Sequence, residues 1–395
     1  MKESGVERLD QYDKHIDWME PLHEIAREAT GLEDFGDNHY REGLRVLLEQ
    51  YDIGCDLTVI GKYAIRHKLV HVLTRRLLSE QAFKDDPSIF ENPIEKPLVI
   101  TGLVRTGSTA LHYLLASDPN RQSLPYWLAE YPQPRPPREE WEAHPDYQAS
   151  KGSIEMMWKI DPTLKSIHFM APDWPEEGGH LMAHNFTDDH WEGALRVPHY
   201  INWYENTSLV ETYKRHKKLL QLIGSSRRGM PWLLKYPVHM KHLKSFLEVY
   251  PDARVIWTHR DPSKVMSSYA SLIAGFRAMN SKNIDRDDVV KEQMEVWAQA
   301  ADRAIEVRKE KDPAQFYDLH FDDFVGDPVA SAENIYRHFG IDWVPECEAA
   351  MRAHVSDNPQ EKHGKHEHSL KAIETSREAM LDRFANYIDH FNVRI

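Results

Sequence analysis

The sequence has 395 residues, of which 41% are hydrophobic, and its 49 basic and 63 acidic side chains give a formal net charge of −14. That hydrophobic content suits one large domain with a helical appendage. The negative charge argues against duplex DNA or another nucleic acid and against an anionic membrane, because these partners need a broad positive surface.

The cysteine content and the pattern of targeting signals bear on the expected cellular location. Only Cys55 and Cys347 occur, far apart, so the sequence indicates neither a disulfide framework nor a thiolate metal site. The first residues, MKESGVERLDQYDKH, lack the apolar core of a signal peptide, and no run approaches the roughly 18 apolar residues of a membrane span. We expect a soluble, cytoplasmic protein without stable membrane insertion.

The first 95 residues read as a helical region. Apolar residues recur at helical spacing from Leu22 to about Phe90, for example at Leu44, Leu47 and Leu48. The last helix of this region also carries a row of basic side chains, for which a solvated face is expected and docking of an acidic partner is the alternative. These side chains are Lys62, Arg66, Lys68, Arg75 and Arg76.

From residue 96 to the end, strands alternate with helices. The run PLVITG after Lys96 predicts a strand followed by a glycine loop and a helix. Further strands are predicted at Trp232–Tyr236, Ala253–His259 and Gln315–Leu319, separated by helices at His239–Tyr250 and Pro262–Met279. This order predicts an α/β fold with a P-loop-like central parallel sheet flanked by helices, together with the N-terminal helices and helical insertions.

The insertion at about 126–230 is predicted to form an acceptor pocket. Its proline-rich start, Tyr126–Pro137, suggests an extended segment or pocket wall, and Asp173–His190 suggests a functional loop or lid. Aromatic side chains around it predict an apolar cleft, with ordinary core packing as the alternative for most of them. They are Tyr126, Trp127, Trp158, Phe169, Trp174, Phe186 and Trp191.

The segment TGLVRTGSTA at 101–110 carries the first anion-binding signal. A glycine loop between a strand and a helix offers backbone N–H groups and the positive end of a helix dipole. The spacing matches a P-loop, but Ser108 stands where nucleoside triphosphatases carry lysine, and the cation is Arg105 inside the loop. The residues predicted to bind the anion are Gly102, Arg105, Thr106, Gly107, Ser108 and Thr109.

A second anion-binding signal lies at ARVIWTHRDPSKVMSSYA, residues 253–270. Arg260 ends a predicted strand and faces the crevice where open α/β sheets bind ligands. Ser268 lies eight residues later, about two helical turns on. One guanidinium and one hydroxyl are thus predicted to converge on a single phosphate, although an Arg-Asp-Pro junction by itself is also an ordinary structural turn.

Together these segments resemble the sulfotransferases that use 3'-phosphoadenosine-5'-phosphosulfate (PAPS), particularly the bacterial and mycobacterial-type branch with an N-terminal helical extension. The resemblance runs in patches from about Phe35 to Leu370. It implies that the first loop binds the 5'-phosphosulfate, that Arg260 and Ser268 bind the 3'-phosphate, that PAP is the product and that no metal is needed. The cytosolic hormone-sulfating branch has lysine where this chain has Arg105.

An acceptor hydroxyl must lose its proton, so a base is expected near the donor. His239, just beyond a predicted strand, is the leading candidate, and Lys235 is predicted to contact the bridging oxygen or the 5'-phosphate. Cytosolic relatives place this lysine and histidine two residues apart, whereas the gap here is four. Glu176, Glu177 and His180, or another glutamate or histidine within 176–190, therefore remain candidates.

A histidine-rich tract, EKHGKHEH, lies near the C-terminus within the segment at about 355–370. Sequence alone permits a zinc site, an exposed tract without function, or a loop. The resemblance favours a loop that covers the nucleotide, with His363, Gly364 and Lys365 beside the 3'-phosphate. A closing helix is expected after Leu370.

The sequence thus predicts a PAPS-dependent sulfotransferase that acts on a hydroxylated small molecule, with a lipid, sterol, phenol or acyl-chain alcohol as apolar candidates. A P-loop nucleotide kinase is the alternative enzyme, and the missing P-loop lysine counts against it. A protein that binds PAP without turnover is the alternative from another class.

Overall fold

The computed structural model describes residues 5–160, 162, 169–358 and 375–395. Four strands form its central sheet: β1 (Leu98–Gly102), β2 (Leu233–Lys235), β3 (Arg254–His259) and β4 (Phe316–His320). All neighbours are parallel and the spatial order is β2-β1-β3-β4. The α/β prediction is confirmed, and all four predicted strands are present.

Eighteen α-helices occur within the described residues. Before the sheet lie α1 (Met19–Thr30), α2 (His39–Ile53) and α3 (Val59–Asp85). Between β1 and β2 lie α4 (Ser108–Ala116), α5 (Tyr126–Glu130), α6 (Pro145–Ile160), α7 (Gly179–Met182), α8 (His190–Ala194), α9 (Pro198–Asn206) and α10 (Val210–Ile223). The others are α11 (Leu243–Val249), α12 (Pro262–Asn280), α13 (Arg286–Lys309), α14 (Phe321–Gly326), α15 (Pro328–His338), α16 (Pro345–Asp357), α17 (Arg377–Arg383) and α18 (Ala385–Phe391).

Alternation along the strands gives the sheet two buried faces. In β1, Leu98 and Ile100 pack into a core with α4, α15 and α16, whereas Val99 packs into the larger core on the other face. Side chains of α1, α2 and α3 belong to this larger core, as do those of the insertion and α17–α18. A parallel sheet covered on both faces explains why its strands read as continuous apolar runs.

Three local predictions are corrected. The segment Tyr126–Pro137 begins with the helical turn α5, buried behind Pro125, rather than as extended chain. The single helix predicted over His239–Tyr250 is a 3-10 turn, Pro237–Met240, followed by α11. Two helices, α17 and α18, replace the single closing helix. In each segment, tertiary packing determined the local conformation more than spacing did.

The basic row on α3 is not simply a solvated face. Arg76 is fully buried, donating to the backbone oxygens of Phe35 at 2.6 Å and His184 at 3.0 Å. Arg66 pairs with Asp10, and Arg75 pairs with Asp146 at 3.4 Å. A buried guanidinium that satisfies backbone carbonyls joins the N-terminal helices to the insertion.

No helix among the described residues combines the length and the apolar character that crossing a bilayer requires.

Candidate active site

The loop after β1 is fixed to β3 by close packing. Gly102 has φ 131°, and a β-carbon there would lie 2.6 Å from the backbone oxygen of Thr258, so only glycine fits. The hydroxyl of Thr106 shares a 2.6 Å hydrogen bond with that of Thr258 and donates to the Leu103 oxygen at 2.7 Å. Gly107, with φ 85°, then precedes the first turn of α4. The loop is therefore held rigidly before a helix N-terminus, which favours anions.

Two arginines meet at this loop. Arg105 adopts a left-handed backbone conformation with φ 58°, and its Nε donates to the Ser268 hydroxyl at 3.1 Å. Arg260 donates from Nη1 to the Arg105 oxygen at 3.0 Å, and its guanidinium lies 3.9 Å from the centroid of the Phe321 ring. Burial, and then the positive charge of Arg260, lower the pKa of Arg105. The structure thus brings together Arg105, Arg260 and Ser268, which lie in separate segments of the sequence.

Lys235 adds a third cation from the neighbouring strand. It is the last residue of β2, its side chain is buried, and its Nζ donates to the Thr109 hydroxyl at 3.2 Å. The same Nζ forms an ion pair with Glu177. A lysine from β2 therefore reaches the helix that follows the loop, although Ser108 occupies the usual lysine position.

His239 lies in a different environment. Its side chain is buried, it stacks on Phe246 with centroids 4.6 Å apart, and its Nδ1 shares a 3.0 Å hydrogen bond with the Tyr213 hydroxyl. Burial lowers its pKa well below the ordinary histidine value. The structure encloses this imidazole among aromatic rings, and within the described residues no hydrogen bond or ion pair of its side chain reaches the loop, Lys235 or Arg105.

The segment from Glu176 to His190 packs against Lys235 at the end of β2. Glu177 holds Lys235, and the adjacent Glu176 is half-buried. Burial, and then the charge of Glu177, raise the pKa of Glu176 to about 7. His180 packs against Tyr126, with centroids 5.4 Å apart. Sequence predicted a loop here, and the structure shows that it contains α7, a 3-10 turn and the start of α8.

The predicted aromatic set separates into two groups. Tyr126, Trp127, Phe186 and Trp191 are buried in the cores, in agreement with the alternative of ordinary packing. Phe169 and Trp174 remain half-buried and contact each other at 4.9 Å between ring centroids. Trp174 also meets Tyr113 of α4 edge-on at 4.7 Å. We call Tyr113, Trp158, Phe169 and Trp174 the aromatic wall.

Sequence reasoning missed two members of this region. Tyr113 was unmarked because it lies in the apolar pattern of α4, yet it joins the aromatic wall to the helix that follows the loop. His190 appeared only as the end of a candidate range, although its Nδ1 lies 2.6 Å from Asp188. An acidic residue two positions before a histidine at a helix start was the available signal.

His363, Gly364 and Lys365, which the resemblance placed beside the 3'-phosphate, lie outside the described residues. After these residues in the chain, Arg377 of α17 donates from Nη2 to Oδ2 of Asp261 at 3.3 Å. Asp261 directly follows Arg260 and caps α12 through the backbone N–H of Ser263. The C-terminal helices therefore dock beside the second anion-binding segment.

Residues 97–345, well over half of the chain, match the sulfotransferase family. The chain belongs to this family. A crystal structure of the sulfotransferase STF1 from Mycobacterium tuberculosis H37Rv superposes with a TM-score of 0.84 at 36% identity, covering 93% of this chain and 98% of that one. STF9 from Mycobacterium avium superposes with a TM-score of 0.87 at 26% identity, covering 95% and 97%.

This sulfotransferase is also similar to a curated relative, the omega-hydroxy-beta-dihydromenaquinone-9 sulfotransferase Stf3 of Mycobacterium bovis and Mycobacterium tuberculosis. The identity is 26% over 276 residues, which is 62% of this chain. The match spans 63% of the relative's length. The resemblance to mycobacterial-type sulfotransferases that the sequence indicated is confirmed.

Proposed function

We propose that this sulfotransferase transfers the sulfuryl group of PAPS to a hydroxyl of an apolar small molecule, giving PAP and a sulfate ester. The observation that carries the donor assignment is the meeting of Arg105, Arg260 and Ser268 at the mouth of the loop. Two guanidinium groups this close repel each other, and a bound dianion would relieve the repulsion.

Each end of the donor has its own set of residues in this proposal. The loop from Gly102 to Thr109 holds the 5'-phosphosulfate at the start of α4, where backbone amides and the helix dipole favour negative charge. Arg260 and Ser268 hold the 3'-phosphate, and Arg260 is kept in place by the Phe321 ring and the Arg105 oxygen. Both ends of a bisphosphorylated nucleotide are thereby accommodated without a metal ion.

The same cations serve the chemistry. As the bond from sulfur to the bridging oxygen breaks, its electron pair stays on the 5'-phosphate and negative charge grows there. Arg105 in the loop and Lys235 beside Thr109 are placed to stabilise this charge. Glu177 orients Lys235 by their ion pair, so that the ammonium is already in position when charge develops.

For the acceptor we propose an apolar alcohol. Tyr113 of the aromatic wall lies on α4, the helix that follows the loop, and the wall offers half-buried ring surface. The curated relative is named for a hydroxylated menaquinone, which is consistent with an acceptor of this type here.

We retain the remaining assignments as proposals. Residues 1–95 form the helical region, 96–395 the sulfotransferase domain, about 126–230 the acceptor-binding insertion and about 355–370 the cover of the nucleotide. The docking of Arg377 on Asp261 supports a C-terminal chain that passes close to the 3'-phosphate residues. A cytoplasmic location is consistent with two buried, unbridged cysteines.

Calorimetric titration of the purified, metal-free protein with PAP, ADP and ATP plus magnesium tests the donor. We expect tight binding of PAP alone, because only PAP fills both anion positions. Preference for ATP with magnesium would overturn the proposal in favour of a kinase. Binding of PAP together with failure to release labelled sulfate from PAPS to any alcohol or to water would favour a non-catalytic binding protein.

A further inference from the structure

We propose that Asp188 and His190 form the dyad that takes the proton from the acceptor hydroxyl. His190 is the base and Asp188 is the positioning residue that holds its imidazole. This inference rests on the proposed function, since it assigns the base of the sulfuryl transfer described above.

The contacts of Asp188 suit a carboxylate that orients the imidazole of His190. It is fully buried, and its Oδ2 accepts a 2.6 Å hydrogen bond from Nδ1 of His190. Its other oxygen accepts from the Tyr236 hydroxyl and from the backbone N–H of Asp189 at 2.8 Å. With both oxygens engaged, the carboxylate is fixed, so the proton stays on Nδ1 and the Nε2 lone pair points away from Asp188.

His190 combines this anchoring with access. Its side chain is 45% exposed, although it packs between buried parts of the protein. A β-carbon added at Gly179 would collide with its ring, and the ring of Tyr236 lies 5.9 Å away between centroids. The imidazole is therefore held on one side and exposed on the other, where a substrate hydroxyl can reach it.

Contacts through the end of β2 connect His190 to the loop, because Tyr236, whose ring lies 5.9 Å from that of His190, directly follows Lys235. The backbone oxygen of Lys235 accepts from the N–H of Gly178 at 3.2 Å, and its ammonium pairs with Glu177 and donates to Thr109. On α7 the His180 ring lies 5.1 Å from His190 between centroids. The short segment from Glu177 to Gly179 thus contacts both Lys235 and the ring of His190.

The charges around His190 come from several elements. Asp188 and Glu177 favour its protonated form, and Lys68 of α3 opposes it, while burial also acts against protonation. The balance raises the pKa of His190 to about 9. A strong proton acceptor results, in contrast to His239, whose pKa burial lowers well below the ordinary value.

In the reaction, the acceptor oxygen forms a bond to sulfur while the bond from sulfur to the bridging oxygen breaks. The bond's electron pair goes to the 5'-phosphate of PAP. The hydroxyl proton goes to Nε2 of His190, and the imidazolium is stabilised by Asp188 until the proton leaves to water. No oxidant or other co-reactant is needed.

The test compares His190→Asn with His199→Asn, a control of equal exposure. The side chain of His199 is also 45% exposed, on α9, where it lies 3.7 Å from Glu49. Transfer from labelled PAPS is measured with farnesol and 1-decanol as acceptors, and with water alone as the third acceptor. We expect His190→Asn to lower turnover about a hundredfold or more with unchanged PAP affinity, and the control to match the parent.

The pH profile separates a base from a merely structural residue. If His190 is the base, turnover rises with pH as the imidazole loses its proton. Removing the nearby negative charge in Asp188→Asn lowers the pKa of His190, so the acid limb of the profile moves to lower pH. Tyr236→Phe removes one donor to Asp188 and leaves more of the carboxylate charge facing His190, so it moves the acid limb to higher pH and tests the dyad if Asp188→Asn fails to fold.

Normal turnover in His190→Asn would overturn the proposal, as would an acid limb that Asp188→Asn and Tyr236→Phe leave in place. Loss of turnover in Glu177→Gln or His239→Asn with an unchanged His190→Asn would assign the base to one of those residues instead. Failure of the parent protein to bind PAP would overturn the donor assignment itself, which the calorimetric titration reports separately from turnover.

Discussion

The donor loop and the acceptor side of this enzyme are built in different ways. The residues proposed to bind the donor lie in two short contiguous segments, each running from a strand end into a helix, and they meet because β1 and β3 are neighbours. The residues proposed for the acceptor side, among them Tyr113, Trp174 and His190, come from distant parts of the chain. The donor side concentrates positive charge, whereas the acceptor side holds buried carboxylates and aromatic rings. The residues proposed for the constant ligand, the donor, form local sequence patterns. The arrangement of those proposed for the variable ligand, the acceptor, depends on tertiary packing.

The largest expected effect is on turnover and is expected at Arg105, the cation inside the proposed donor loop. Arg105→Ala removes the guanidinium that we propose stabilises the developing charge, and we expect turnover to fall by about 10²- to 10³-fold. Because Arg105 has φ 58°, alanine also retains backbone strain. Arg105→Gly removes the guanidinium and relieves the strain, so equal losses in both variants would assign the effect to the side chain. Steady-state rates with saturating PAPS measure it.

Recovery of activity in Arg105→Gly alone would contradict this assignment and make the backbone conformation the important feature. Arg105→Lys sharpens the comparison, since it keeps the charge but loses the planar donor that reaches Ser268.

The next effect is on donor affinity at Arg260. Arg260→Ala removes a charge-assisted phosphate contact, and we expect PAP to bind about 10- to 100-fold more weakly. Arg337→Ala is the control, because Arg337 is exposed on α15 and pairs with its helix neighbours Glu333 and Asn334. Calorimetry with PAP measures both. Unchanged affinity in Arg260→Ala would remove the 3'-phosphate from this position.

The contrast between these two sides also explains which site residues could be predicted from the sequence. The loop, Arg260 and Ser268 were identified because glycine spacing and strand-to-helix junctions are local patterns. His239 was chosen because it follows Lys235 closely along the chain, but a 3-10 turn directs it into the aromatic core. No spacing rule places Asp188 beside His190 and Tyr236 together, since their arrangement depends on how the insertion packs against the sheet.

On the acceptor side, a smaller and selective effect is expected at the aromatic wall. Trp174→Ala removes ring surface that contacts Tyr113 and Phe169, so we expect the KM for farnesol to rise about tenfold while PAP affinity stays unchanged. Trp343→Ala is the matched control, because Trp343 is also half-buried but packs on the opposite core against Tyr336. Equal KM changes in both variants would show a general loss of stability rather than a lost acceptor contact.

The smallest expected effect is on the stability of the fold. It comes from the ionisation of Glu176 on the proposed acceptor side. Burial and Glu177 raise the pKa of Glu176 to about 7, above its ordinary value, so the folded protein retains a proton that the unfolded chain releases at lower pH. Stability therefore falls as pH rises between the unfolded value and about 7. Glu176→Gln stays neutral throughout and removes this contribution.

We expect the two proteins to melt together at pH 4, where Glu176 is protonated in both the folded and the unfolded state. At pH 8 the variant should melt higher by roughly 2 °C. Calorimetric melting curves across this range measure the difference. A variant that follows the parent at every pH would mean that Glu176 ionises normally, and a second negative charge would then stand beside Glu177 and its partner Lys235. A neutral Glu176 instead adds no second carboxylate charge beside that ion pair, which preserves positive potential for the sulfuryl donor that we propose.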